Sequence, residues 1–179
     1  MFSLNIINES YYDYISKFDS RVLYSTGNKN TRPHLGIVLE IDDLNYFAPL
    51  SSTKKKHKNM NNSIDFIKID NANLGVINLN NMIPVHKNAL HKIDIDKYLS
   101  GNAYDKNYGH LLLKQLAWCN IKSNREQITK NAKTLHKIIV SGKAPKKLAE
   151  RTCDFLKLEK ACRQYELNKK EQEIDELER

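Results

Sequence analysis

Leu35-Gly36-Ile37-Val38-Leu39-Glu40-Ile41-Asp42-Asp43-Leu44-Asn45-Tyr46-Phe47-Ala48-Pro49-Leu50 decides the fold. Two runs rich in branched and aromatic residues, Leu35 to Ile41 and Leu44 to Leu50, flank the turn-forming pair Asp42-Asp43. That pattern reads as a β-hairpin. The second run feeds directly into Ser51-Ser52-Thr53-Lys54-Lys55-Lys56-His57, so three hydroxyls, three ammonium groups and an imidazole leave the end of a buried strand together. Hydroxyls and backbone N–H groups at such a strand end can hydrogen-bond phosphodiester oxygens while the cations offset their charge. A lysine run on a basic protein is also the ordinary composition of a solvated loop. Both readings stand at this point.

Outward from the hairpin, further strands are expected at Ile64 to Ile69 and Leu74 to Leu79, linked by Asp70-Asn71-Ala72-Asn73, with Pro84 ending the sheet. Before the hairpin, Tyr11, Tyr14, Ile15 and Phe18 make a helical stripe over Asn8 to Phe18, with Ser10 and Asp13 resembling a capping box. The polar segment Ser20 to Thr31 follows. The second half reads as helical. One helix spans roughly Asp105 to Ile121 with Tyr108, Leu112, Gln115 and Cys119 on one face. A second is opened by Ser123-Asn124-Arg125-Glu126, faces inward with Ile128, Ala132, Leu135 and Ile139, and closes at Gly142. A third is capped by Asp154, with Phe155, Leu158, Cys162 and Tyr165 on one side. Strands grouped first and helices later indicate an α+β fold, an antiparallel sheet with helices packed on one face. One domain is expected over 1–165, and a charged extension over 166–179, as frayed helix or disorder.

The chain has 179 residues and a net charge of +8. Glu166 to Arg179 hold six acids and three bases, and removing them leaves 26 basic and 15 acidic residues, a net +11 for the body. That excess points to a polyanionic partner. No apolar stretch approaches the ~20 residues of a membrane span, and Met1 to Ile7 has no secretory signal pattern. The three cysteines, Cys119, Cys153 and Cys162, include no CxxC pair and fall beside apolar helical stripes, so buried thiols and a reducing cytoplasm are expected.

Arg32-Pro33-His34 precedes the first strand of the hairpin. Arg32 is suited to bidentate phosphate contact, and His34 and His57 are candidate acids or bases near neutral pH. An exposed turn with a polar histidine is the plainer reading. His86, His91, His110 and His136 read as surface or helix-face residues, and Asp94-Ile95-Asp96 would put two carboxylates on one strand face. No HExxH, Walker loop, GxGxxG or acidic Mg²⁺ cluster occurs, so no metal and no cofactor is expected. Ser, Thr, Lys, Arg and His still suffice to cleave RNA, because the substrate's 2′-hydroxyl attacks its own adjacent phosphate. The protein need only align the attack, assist proton transfer and stabilise the phosphorane.

Several stretches together resemble the ToxN/AbiQ toxins of type III toxin–antitoxin systems: Tyr11 to Phe18 with Asp19; Arg32-Pro33-His34-Leu35-Gly36-Ile37-Val38-Leu39; Tyr46-Phe47-Ala48-Pro49-Leu50-Ser51-Ser52; Gly75-Val76-Ile77-Asn78 with Asn81-Met82-Ile83-Pro84; Leu113-Lys114-Gln115-Leu116; and Cys153-Asp154-Phe155 with Leu158-Glu159 and Cys162-Arg163. They cover about residues 4 to 165 in order. The resemblance implies a strongly curved antiparallel sheet of the Kid/MazF kind and a metal-independent endoribonuclease. It implies cleavage of single-stranded, adenine-rich RNA, cellular and phage, to a cyclic phosphate and a 5′-hydroxyl. It also implies inhibition by a folded repeat RNA antitoxin that the toxin itself processes, a closed assembly of alternating protein and RNA, and phage defence by abortive infection. By the same resemblance Ser51, Ser52, Lys54 and Arg32 are the catalytic set. Thr53 stands where a proline commonly follows the second hydroxyl. An upstream family aromatic aligns near Asn28, with Tyr24 the nearby substitute. Lys55, Lys56, Lys58, Tyr11 and Tyr24 are the expected RNA-binding residues. The competing readings are a non-catalytic RNA-binding module with tyrosines as stacking surfaces, and a basic scaffold binding a protein through its acidic tail. Cleavage itself separates the first of these from the enzyme.

Overall fold

In the computed structural model the described residues are 1–22 and 32–177, apart from the side chains of 166 and 168–177. The chain opens with β1 (Ser3–Ile7) and α1 (Glu9–Ser16), then forms the hairpin β2 (His34–Ile41) and β3 (Leu44–Ser51). A short α2 (Lys55–Asn59), β4 (Phe66–Ile69), β5 (Gly75–Asn78), β6 (Ile83–Pro84) and β7 (Leu90–Lys92) follow. The helices α3 (Ile95–Leu99), α4 (Ala103–Asn120), α5 (Lys122–Val140), α6 (Lys146–Arg151) and α7 (Phe155–Leu177) complete the chain. The fold is α+β, with one curved antiparallel sheet and packed helices.

The sheet runs β4-β5-β3-β2-β1-β7, with β6 also on β3. β3 is the strand on which the sheet is built. Along one edge it pairs β2 from Ile41↔Leu44 to His34↔Pro49. Along the other, Tyr46 and Phe47 pair β6 while Leu50 and Ser51 pair β5. Six of its residues, including Tyr46, Phe47 and Leu50, are buried without alternation, so both faces of the strand are covered as well as both edges paired. The Asp42-Asp43 turn forms as expected, with Asp42 in the left-handed region at φ 51°, where an Asp is tolerated better than most side chains.

Several expectations are corrected. β1 was not anticipated, although Leu4 and Ile7 fill the core beside Leu35. Pro84 does not end the sheet. It lies on a two-residue strand, and β7 continues the sheet beyond it by pairing β1. Neither expected capping box forms: α1 begins after Asn8 and α5 after Ile121, each without a side-chain cap bond. Asp94 does not share a strand face with Asp96; it caps α3 by accepting from the Lys97 N–H. Asp154 does cap α7, accepting from Lys157 N–H at 3.1 Å, and Gly142 closes α5 at φ 69°. All three cysteines are buried free thiols.

His136 is not a surface residue. It is buried, stacks on Phe155 and binds Glu159 (Nε2 to Oε1, 2.7 Å). The same carboxylate accepts from the Tyr46 hydroxyl at 2.6 Å. Burial alone would raise the Glu159 carboxyl, but these two bonds bring it below the ordinary carboxylate range. One polar node therefore ties β3, α5 and α7 inside an apolar core, where removing one partner leaves the others unsatisfied. We expect Glu159→Ala to destabilise the fold by roughly 2–4 kcal/mol and Tyr46→Phe by only about 1 kcal/mol. Urea unfolding of the two variants checks this; equal, small losses would show that the node contributes little.

Candidate active site

Ser51 and Arg32 lie at one end of the sheet, where three strands arrive together, and Lys54 follows three residues beyond Ser51. β3 ends at Ser51, β5 starts at Gly75 and β2 starts at His34. The Leu50 N–H donates to the Pro33 carbonyl at 2.9 Å, extending the β2–β3 register past His34↔Pro49. That register sets Arg32 across from Ser51. On the other edge Ser51 pairs Val76. Gly75, at φ 127°, approaches so closely that a Cβ there would lie 2.8 Å from the Ser51 carbonyl oxygen. Gln115 of α4 backs this contact by donating to the Leu74 carbonyl at 2.6 Å.

The Ser51 hydroxyl is half-buried and accepts from Asn78 Nδ2 at 2.9 Å. Ser52 and Lys54 are exposed. Thr53 between them turns inward, its hydroxyl donating to the Ala72 carbonyl. Ala72 ends a turn in which Asp70, Asn71 and Ala72 all have φ between 50° and 71°. Three consecutive non-glycine residues in the left-handed region are strained, and such strain gathers beside functional surfaces. This turn faces Lys54, Lys55, Lys58 and Asn59 across a cavity of about 450 Å³ completed by Asn73. Lys55, Lys56 and Lys58 are exposed on α2, available to a polyanion. A larger cavity, about 670 Å³, lies between Ile37–Glu40 of β2 and Arg125–Lys133 of α5 and contains none of the candidate site residues.

The two histidines depart from expectation. His34 is fully buried, and burial pushes its imidazole down to about 3. It accepts the Tyr12 hydroxyl at Nε2 and donates from Nδ1 to the Arg32 carbonyl at 3.0 Å. Burial favours the neutral imidazole, and its Nδ1–H holds the backbone of Arg32. His57 is also buried, 5.4 Å from the Phe66 ring, and its Nδ1 accepts the Lys54 N–H at 3.1 Å. Burial first, then Lys56 and Lys54, lower its pKa. Its geometry caps the first turn of α2 and so aims Lys54.

Tyr11 cannot be a stacking surface. Its ring is fully buried, edge-on to Tyr165 at 4.9 Å, and its hydroxyl donates to the Pro84 carbonyl at 2.7 Å. Tyr24 and Asn28 lie outside the described residues. In the sequence Asn78 stands only within a longer stretch and Gln115 only on a helix face, neither as a site candidate. A polar residue ending an apolar strand was the one available signal for Asn78. Among the described residues no group of three or more His, Cys, Asp or Glu could hold a metal ion, and no helix is long and apolar enough to cross a membrane.

Comparison with known proteins gives this arrangement its context. Residues 3–163 match the family described as toxin ToxN, type III toxin–antitoxin system. The endoribonuclease ToxN of Bacillus thuringiensis subsp. kurstaki is 33% identical over 177 residues, 97% of this chain and 89% of that protein. A solved type III toxin, described with selective inhibition by a non-coding RNA pseudoknot, superposes with a TM-score of 0.78 at 32% identity, covering 92% of this chain and 98% of that one. AbiQ, a lactococcal anti-phage endoribonuclease of a type III system, superposes with a TM-score of 0.76 at 27% identity over 93% of this chain and 98% of its own. With the match spanning the sheet, the helices and the strand-end site alike, the chain belongs to the ToxN family of type III toxin–antitoxin toxins.

Proposed function

We propose that this chain is a toxin endoribonuclease that cleaves single-stranded, adenine-rich RNA without a metal ion. The 2′-hydroxyl attacks the adjacent phosphorus, the bond to the 5′-oxygen breaks, and the products are a cyclic phosphate and a 5′-hydroxyl. The observation that carries this reading is the strand end itself: Ser51 closes a buried strand, Ser52 and Lys54 follow it exposed, and the register sets Arg32 across from Ser51.

Lys54 and Arg32 offset the charge that grows on the phosphorane oxygens, and the Ser51 and Ser52 hydroxyls orient the phosphate. Fixed donors and cations aimed at developing charge are the usual largest source of rate enhancement. Neither imidazole serves as a base in this reading: His34 is sealed in the core, and His57 holds the Lys54 backbone. Proton movement instead passes through Ser52, which is exposed beside Lys54.

The exposed ammonium groups of Lys55, Lys56 and Lys58 extend the cationic surface beyond what one phosphate requires. We assign that surplus to a folded repeat RNA that covers the site, is itself processed, and alternates with the protein in a closed assembly. The ToxN-like structure inhibited by an RNA pseudoknot and the anti-phage activity of AbiQ support inhibition by RNA and a role in phage defence. With cellular and phage RNA as substrates, we assign the activity to the cytoplasm.

Lys54→Ala and Ser52→Ala test the site. Both residues are exposed, so stability should change within about 0.5 kcal/mol. Cleavage should fall ~10²–10³-fold, with toxicity lost on expression without antitoxin. Full toxicity in both variants would remove the assignment.

Neutral His34 also implies a pH signature. The folded state holds the imidazole neutral down to about pH 3, whereas the unfolded chain protonates it near its ordinary value of 6.5. Stability is therefore complete above pH 6.5 and falls as the pH drops, by at most ~1.4 kcal/mol per unit from this group. Between pH 6.5 and 5 the wild type should lose about 1.6 kcal/mol more than His34→Asn in urea unfolding. Parallel losses would show that His34 is protonated in the fold.

A further inference from the structure

Asn78 makes a contact whose direction matters. Ile77 pairs Leu50 and Val76 pairs Ser51, so Asn78 falls opposite Pro49 and diagonal to Ser51 on the same face of the sheet. Diagonal neighbours on one face are within reach of each other's side chains. Its amide nitrogen lies 2.9 Å from Ser51 Oγ and 3.5 Å from the Pro49 carbonyl oxygen. A carbonyl can only accept, so the nitrogen, not the amide oxygen, must face the strand end. The Asn78 N–H therefore donates to the serine hydroxyl.

A serine hydroxyl has one proton and two lone pairs. With one lone pair taken by Asn78, its proton is left to donate elsewhere. Among the described residues no group is hydrogen-bonded to that proton. A phosphate oxygen accepts only. The backbone beneath is fixed as well, between Val76 pairing and the close approach of Gly75. We propose that Asn78 is a positioning residue that sets Ser51 as an obligate hydrogen-bond donor to the scissile phosphate. This rests on the assignment of Ser51 under Proposed function.

The polarity can be reversed at nearly constant shape. Asn78→Asp replaces the donor by an acceptor, which would take the Ser51 proton for itself. Asn78→Ala removes the contact and leaves the hydroxyl free to turn. Single-turnover cleavage of an unstructured adenine-rich transcript with enzyme in excess, over a range of enzyme concentrations, separates maximal rate from apparent affinity. In the wild-type background Asn78→Asp should lower the maximal rate ~10²-fold, the scale of one lost transition-state contact, and Asn78→Ala less, about tenfold. A packing role predicts the opposite order, because the near-isosteric substitution preserves packing. The new carboxylate would also repel the phosphate, so both variants are repeated in a Ser51→Ala background. There, neither should cost anything further. Two results overturn the proposal: Asn78→Asp no worse than Asn78→Ala, or an Asn78→Asp penalty that persists without the serine hydroxyl. Ser51→Ala as fast as wild type would instead overturn the Ser51 assignment, and this inference with it.

Discussion

Everything at the site depends on the end of β3, where Leu50 is held on both edges and Ser51 on one. Leu50 donates to Pro33 on one side, and Leu50 and Ser51 pair Ile77 and Val76 on the other. A strand end fixed in this way has no freedom to fray. The next residues must leave the sheet at a defined point and angle, so hydroxyls and cations are delivered to one place. A lysine loop hung from an edge strand would sample many positions, and its charge would be screened before it could stabilise a transition state.

The loop beyond that point is held by side chains more than by apolar packing. Thr53 anchors to Ala72 and His57 to the Lys54 backbone, while the Asp70–Ala72 turn is kept in the left-handed region. The strain of that turn is offset elsewhere in the fold. Asp19 accepts from Arg21 and from the Asp154 N–H, and Asp65 accepts from both Arg151 Nε and Ser63. These buried carboxylates join the first helix and the β4 entry to the α6–α7 region. The division is one of labour: ion pairs and the core hold the frame, and short local hydrogen bonds aim the exposed groups.

The hairpin was legible because its two apolar runs and the Asp42-Asp43 turn agree locally, and the Asp154 cap was legible for the same reason. β1 and β7 were not. Leu4 to Ile7 is too short to show a period, and Leu90-His91-Lys92 is too polar to look like a strand, so only tertiary pairing creates them. The hydroxyls and lysines of the site were visible as residue types at a strand end. The histidines misled, because nothing local distinguishes an imidazole in solvent from one sealed beneath Tyr12 or against Phe66. Burial, a tertiary property, takes both imidazoles out of solvent and turns them to internal hydrogen bonds. Asn78 was quoted in a matching stretch without a role, since its role exists only across the sheet.

On the proposed mechanism this strand end activates no water and serves only an internal nucleophile. That is tested most directly with a synthetic RNA whose cleavage site has been mapped, remade with a single 2′-deoxy nucleotide 5′ to the scissile phosphate. The unmodified RNA should yield a 2′,3′-cyclic phosphate and a 5′-hydroxyl, and the deoxy-substituted RNA should not be cut at that position. Cleavage at the substituted position, or a 5′-phosphate on the product, would contradict it.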